Sequence, residues 1–215
     1  MKNITSVPRS KEQAQNYYDR ISGIYDWLTA SEKPLIKKGV NLLSPKPDER
    51  ILEIGCGTGP GLKFIEENSK GSARVAGLDL SRNMLLKSRE KTSAGLIQAD
   101  AAKLPISHSR FDGVFCSFTL ELFSENEIPS VLREIHRILR SDGRLVAVAL
   151  SKYPENLAVT LYEFAHQLFP VALDCRPIPL KQILEDNDFR VITEEKLMNW
   201  GLPVEMVECK PVNSQ

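Results

Sequence analysis

The sequence predicts an α/β fold: a doubly wound, mostly parallel seven-stranded sheet whose last strand runs antiparallel. Three observations carry that reading. Between residues 50 and 150, short apolar runs alternate with stretches of helical period, the pattern of a parallel sheet covered on both faces. Three of the early runs end in or just before an acid, where the chain must turn. The last two runs are joined only by "NWGL", too short for the crossover that a parallel link needs, so they should form an antiparallel hairpin.

Taken in order, residues 1–12 are polar and read as frayed, and "AQNYYDRISGIYDWLTAS" (14–31) reads as one or two short helices. "PLIKKGVNLLSP" (34–45) spaces Leu35, Val40 and Leu42/Leu43 helically and stops at Pro45. "RILEIG" is a strand, "GPGLKFIEEN" starts a helix, "ARVAGLDLS" is a strand and "RNMLLKSREK" a helix. "GLIQAD" is a short strand, "AAKLPISHSR" a loop and "FDGVFCSF" a strand. "ENEIPSVLREIHRILR" is a helix with Ile128, Leu132, Ile135 and Leu139 on one face, and "SDGR" turns into the strand "LVAVALS". "NLAVTLYEFAHQLF" (156–169) is a strongly apolar helical candidate ended by Pro170. "PLKQILEDNDF" (179–189) is a helix with Pro179 at its first position, and "RVITEEKLM" and "PVEMVECKP" are the closing strands, the last inserted beside the fifth. The expected organisation is a helical cap region over 1–45 and a main domain over 46–215, with a helical lid insertion around 154–178.

The 215 residues balance 28 Lys and Arg against 28 Asp and Glu, so no global positive field points to nucleic acid. Cys56, Cys116, Cys175 and Cys209 are far apart and form no C-x-x-C pair, so no metal knuckle or redox dithiol is encoded locally. "MKNITSVPRSKEQ" lacks the apolar region of a secretory leader, and no apolar run approaches the ~18 residues of a membrane span. The expectation is a cytoplasmic chain, monomer or homodimer, with peripheral membrane contact left open.

The stretch "ILEIGCGTG" (51–59) has glycines at 55, 57 and 59, which let a backbone turn sharply beside a ligand. A dinucleotide fingerprint would need glycine at 60, where the chain has proline. Glu53 would repel a pyrophosphate and attract a ligand with a cationic end. Asp79 ends the second strand, where an acid can accept both ribose hydroxyls, and Asp100 follows the third, where a carboxylate can accept from an adenine amino group. One such acid can be an ordinary solvated loop residue; three, each at the end of an apolar strand, are hard to attribute to coincidence.

Taken together, "ILEIGCGTG", "GLDLSRNML", "QADAAKLP", "FDGVFCSFTLE" and "REIHRILRSDGRLV" resemble the class I S-adenosylmethionine-dependent methyltransferases, with their Rossmann-like fold, over residues 50–150. The ending "GLPVEMVECKP" and the start "YYDRISGIYDWLT" are similar to the broad quinone- and small-molecule-methylating group within them. "RSDGRL" departs from the proline-glycine-glycine turn usual in that family. The resemblance implies S-adenosylmethionine as cofactor. It places Glu53 near the methionine amino group, through a water or the backbone, and wraps Gly55, Cys56, Gly57 and Gly59 around the sulfonium side. Asp79 would take the ribose hydroxyls, Met84 or Leu80 would pack on the adenine, Asp100 with the Ala101 backbone would read its edge, and Ser117 would border the sulfonium.

For the chemistry, methyl transfer to a small-molecule or lipid-like acceptor (a quinol ring carbon, an oxygen or an amine) needs mainly alignment and exclusion of water. No Ser-His-Asp or H-E-x-x-H spacing competes with it. Glu121, after the fourth strand, can accept a proton or hold an amine, or simply be a capping acid. His166 lies on the apolar 157–169 segment, while His136 and His108 read as structural or exposed. Tyr18, Tyr25 and Trp27 are expected to line the mouth, although Trp27 would equally serve to dock the N-terminal helix. Leu157, Leu161, Phe164, Ala165 and Leu168 form one face of the 157–169 segment, with Phe164, His166 and Phe169 as acceptor contacts if it is a lid; a dimer interface or a fixed helix is the alternative. The rival functions are a nicotinamide oxidoreductase, a nucleic-acid methyltransferase and a non-catalytic S-adenosylmethionine-binding protein.

Overall fold

The computed structural model describes residues 10–153, 159–162, 164 and 175–212. Its centre is a seven-stranded sheet of order β3-β2-β1-β4-β5-β7-β6. The strands are β1 (Arg50–Ile54), β2 (Arg74–Asp79), β3 (Gly95–Gln98), β4 (Phe111–Ser117), β5 (Leu139–Leu150), β6 (Phe189–Asn199) and β7 (Leu202–Pro211). β1 to β5 pair in parallel, and β7 enters antiparallel between β5 and β6. The short "NWGL" link has the consequence that the sequence implies. Because Leu150 pairs with Val204, the hairpin tip lies at the carboxyl end of the parallel strands.

Helices α1 (Lys11–Ile21), α2 (Tyr25–Leu28), α3 (Lys33–Leu43), α4 (Pro60–Asn68), α5 (Arg82–Arg89), α6 (Ile128–Ile138) and α7 (Leu180–Glu185) cover the sheet or its mouth. One core packs Val131, Leu132, Ile135, Ile183 and Leu184 onto Leu52, Val114 and Ala147. The other packs Ile36, Val40 and Leu43 of α3 onto Ile51, Phe115, Val148 and Met206. The alternation of side chains along β1 and β4 feeds both layers, which is why those strands read as continuous apolar runs.

Several boundaries differ from expectation. α1 begins at Lys11 rather than near residue 14, because Ser10 and Gln13 form a reciprocal capping box. α6 ends at Ile138, and Leu139 leaves it to pair with Phe111 across a bulge, so "SDGR" belongs to the extended arm of β5 rather than to a separate turn. Pro179 is the residue before α7, not its first. The 157–169 candidate falls largely outside the described residues. Within it, Val159 is buried, Tyr162 packs against the second core, and Leu161 and Phe164 are exposed. The described part therefore turns inward the residues expected to flank the face, and turns outward two expected to form it.

At the bottom of the sheet one arginine ties three elements together. Arg144 donates to Leu43 O at 2.7 Å and Ser44 O at 3.0 Å, satisfying the end of α3. It also forks onto Glu49 at 3.0 and 2.8 Å. Burial works against the Glu49 carboxylate, but the Arg144 bonds and the Lys46 N–H hold its pKa below the ordinary value. We expect Arg144→Met to cost about 2–4 kcal/mol at neutral pH, the sum of a few charge-assisted bonds. A depressed acid pKa stabilises the fold above the unfolded value and loses that contribution as pH falls through the folded one. The difference between the two proteins in urea titrations should therefore shrink as the pH falls below the ordinary glutamate range; a constant difference would contradict the Glu49 linkage.

Candidate functional site

A single cavity opens at the carboxyl ends of β1, β2, β3 and β4, where the glycine loop, the ends of β2 and β3, the loop after β4 and the N-terminal helices meet. Among the residues singled out from the sequence, Glu53, Gly55, Cys56, Gly57, Asp79, Leu80, Met84, Asp100, Ala101, Ser117, Tyr18 and Tyr25 all line it. Gly59 does not line it. It turns the chain into α4 with φ 89°, packed against Ser88.

Glu53 is the least ordinary of these residues. It lies on β1 with its carboxylate buried beside the start of α4. Desolvation, then the nearby Asp79 charge, pushes its pKa well up, against a backbone hydrogen bond from Leu62. Its Oε2 is buried and meets no hydrogen-bond donor among the described residues. Gly61 makes room for it, since a Cβ there would lie 2.1 Å from Glu53 Oε1. Gly55 is packed in the same way: with φ 69°, it presses against the side chain of Thr119.

Asp79 holds the glycine loop in place. Its Oδ2 accepts from Gly57 N–H at 2.8 Å and its Oδ1 from Ser81 N–H at 2.8 Å. Burial raises its pKa while these bonds oppose the rise. Asp100 accepts from Ala102 N–H at 2.9 Å through Oδ1 and pairs through Oδ2 with Lys11 Nζ at 2.6 Å. Lys11 also reaches Glu127 at 3.1 Å. Farther along the N-terminal segment, Asp19 accepts from Asn83 N–H at 2.9 Å and from Ser81 Oγ, and Asp26 accepts from Thr58 Oγ1 and pairs with Lys91. The loops after β1, β2 and β3 are thus each touched by a polar side chain from residues 11–26.

Other expectations need correction. Trp27 is 80% exposed and does not line the cavity. Glu121 is fully buried and absent from the cavity wall; its Oε1 accepts from Leu150 N–H at 3.2 Å, a bond that braces the end of β5. His166 and Phe169 lie outside the described residues, and Phe164 points to solvent. His136 contacts Val212 O at 3.1 Å and the Phe189 ring edge, and His108 is exposed. The sequence reading missed Lys11, Glu32, Ile36, Phe118, Phe123 and Glu127, all on the wall. Apart from Phe118, which lies within "FDGVFCSFTLE", they carry no local motif, and only the fold brings them to the mouth.

The family description "Methyltransferase domain" matches residues 51–143. Over 179 residues the chain is 30% identical to the demethylmenaquinone methyltransferase of Lactococcus lactis, covering 78% of this chain and 68% of that one. It is 27% identical over 201 residues to the enzyme of that name from Corynebacterium kroppenstedtii, covering 91% and 82%. The chain belongs to the class I S-adenosylmethionine-dependent methyltransferases. Its fold is also similar to that of the magnesium protoporphyrin IX methyltransferase of Synechocystis PCC 6803 with bound SAH, with a TM-score of 0.73 at 18% identity over 94% of this chain and all of that one. The chain spans between 54% and 82% of the length of the curated relatives it matches here.

The site fits the family's cofactor on its own geometry. A buried carboxylate oxygen without a donor suits a ligand ammonium, and two further acids stand at the neighbouring strand ends. We expect Gly61→Ala to leave the fold intact and weaken S-adenosylhomocysteine binding at least tenfold in calorimetry, because the new methyl displaces Glu53. Unchanged affinity would remove Glu53 from the site. Since the Glu53 pKa is raised before a cation arrives, binding should release protons and affinity should rise with pH until the free protein's Glu53 is ionised. Calorimetry in buffers of different ionisation enthalpy reads that release directly, and a flat pH dependence would contradict it.

Proposed function

We propose that this protein transfers a methyl group from S-adenosylmethionine to a small, apolar or lipid-like acceptor, with a quinol-type ring the first class to test. One observation carries the reading: the cavity with the three mouth acids continues without a break into a wall of Tyr18, Tyr25, Ile36, Phe118, Leu122 and Phe123. Three acids and a set of apolar and aromatic side chains lining one cleft match a charged cofactor beside an uncharged acceptor. The demethylmenaquinone methyltransferases among its relatives point to the same acceptor class.

In this reading Glu53 holds the methionine ammonium, and Gly55, Cys56 and Gly57 follow the sulfonium end beside Ser117. Asp79 accepts the ribose hydroxyls with the lone pairs that Gly57 and Ser81 leave over. Asp100 and Ala101 face the adenine edge, with Met84 and Leu80 beside the ring. When bound, the cofactor supplies an electrophilic methyl group already activated by the sulfonium. The chain's own contribution is alignment of the acceptor and exclusion of water. Tyr18 and Tyr25 stand edge to face at 6.1 Å on the wall, each giving an apolar ring and a hydroxyl that can hold a polar end of the acceptor. Residues 1–45 then form a cap region over the domain of 46–215. The lid reading of 154–178 keeps His166 as a candidate acceptor contact.

The deciding experiment incubates the protein with labelled S-adenosylmethionine and a deproteinised cell extract, then separates organic-phase from aqueous products. Label in the organic phase supports the reading, and label confined to nucleic acid or small aqueous amines overturns it. Asp79→Ala should reduce S-adenosylmethionine affinity by at least tenfold, since two charge-assisted hydrogen bonds of about 1.5–3 kcal/mol each are at stake. A folded variant with unchanged affinity would sink the ribose assignment.

A further inference from the structure

Arg176 is fully buried, one of the largest side chains in the molecule with no solvent exposure, and the sequence reading gave it no role. It lies on a short extended stretch stitched to the end of β5. Ile178 N–H donates to Leu150 O at 2.9 Å, and Lys152 N–H donates to Ile178 O at 3.3 Å. From there its guanidinium crosses to the loop after β4. Nε donates to Glu121 O at 3.0 Å, and Nη2 donates to Phe123 O. The carboxylates of Glu125 and Glu121 are close enough to favour its charge.

A buried arginine is costly unless its planar fork finds several acceptors. Here it finds two carbonyls that flank Leu122, and that placement is the informative part. The loop carries a single 3-10 turn, Leu120–Leu122, and has no sheet partner to satisfy both carbonyls. Leu122 and Phe123 form part of the apolar half of the cavity, and Glu127, a few residues on, pairs with Lys11. On its other side, the Tyr162 hydroxyl donates to Cys175 O at 2.7 Å. A chain of contacts thus runs from the helical turn at 159–162, through residues 175 and 176, to the wall of the cavity.

We propose that Arg176 is the positioning residue of the acceptor wall: it sets Leu122 and Phe123 in place by gripping the carbonyls on either side of Leu122. The proposal rests on the reading of the apolar half as the acceptor side. It separates two functions that share one cavity: the carbonyls that Arg176 grips, Glu121 O and Phe123 O, lie on the loop after β4 and not on the glycine loop or at Asp79 or Asp100. Lysine, with one ammonium in place of a fork, cannot span both carbonyls while keeping the charge that Glu121 and Glu125 require.

The test compares the unchanged protein with Arg176→Lys and Arg176→Met. Hydrogen exchange with saturating S-adenosylhomocysteine should be at least tenfold faster over residues 118–124 in both variants and unchanged over 55–60 and 79–84. S-adenosylhomocysteine affinity should stay within twofold. With S-adenosylmethionine saturating, dilution of the active extract fraction should show the apparent KM for acceptor raised at least fivefold, with kcat falling less. Unchanged exchange over 118–124 in the folded Arg176→Lys protein overturns the proposal. So does a parallel fall in Tm and S-adenosylhomocysteine affinity with no separate change in KM, the mark of a structural role alone. If the unchanged protein methylates nothing, the functional reading fails, while the exchange experiment still decides whether Arg176 holds the loop.

Discussion

The buried carboxylate of Glu53 is the constraint on which the rest of the site depends. A carboxylate in an apolar strand is costly, and its pKa rises until something cationic or several donors arrive. The fold surrounds it with compensations that fall short of complete. Leu62 donates one backbone hydrogen bond, and Gly61 gives up a side chain to make room. The nearby Asp79 adds repulsion. In a core without function, an apolar residue would be more stable at this place. Under the proposed reading the oxygen without a donor favours a cation, and Gly61 at the start of α4 gives the carboxylate its room, since a Cβ there would lie 2.1 Å from Glu53 Oε1.

Asp79 shows how the same chemistry can build a site and occupy it. Its two oxygens anchor Gly57 and Ser81, so the acid fixes the curvature of the glycine loop before any ligand enters. A loop of glycines alone would be free to sample many conformations, at a cost of order 1 kcal/mol or more per residue on ordering. The carboxylate removes part of that cost in advance. With Asp79 taking the ribose hydroxyls as proposed, preorganisation and recognition would fall on one residue, and a substitution there would disturb both.

Much of this half of the site was legible in the sequence because it is local. The glycines, Glu53, Asp79 and Asp100 each stand within a few residues of a strand end, and apolar periodicity locates strand ends well. The hairpin of β6 and β7 was legible for a similar reason, since a link as short as "NWGL" permits one geometry. The boundary of α1 was encoded too, in the Ser10–Gln13 capping box that a purely hydrophobic reading overlooks. What could not be read was anything joined by folding alone. Lys11 reaches Asp100 across 89 residues, and Arg176 reaches Glu121 across 55. Glu121 shows the converse error: its place after β4 suggested the mouth, but the 3-10 turn points it inward to Leu150. Sequence distance from a strand end does not determine which way a turn faces.

The mouth is closed by a different kind of bonding from that in the core. α1 buries none of its residues, whereas α3 buries five, so the hydrophobic effect holds α3 to the sheet and contributes little to α1. What holds α1 and α2 is a line of polar contacts, Lys11 on Asp100 and Glu127, Asp19 on Ser81 and Asn83, and Asp26 on Thr58 and Lys91. Partly exposed pairs of this type contribute about 0–1 kcal/mol each. A few such contacts hold a segment closed without committing it, and each is screened by salt. They also end on the loops after β1, β2 and β3, the surfaces that the cofactor must reach. Of the three acids at the strand ends, Asp100 is held by Lys11 of the N-terminal segment and Asp79 by the Gly57 and Ser81 backbone, while Glu53 keeps a buried oxygen with no donor among the described residues. Asp100 at the rim is paired and the buried Glu53 is not, so a cationic group would gain most beside Glu53, beneath a segment held by weak bonds.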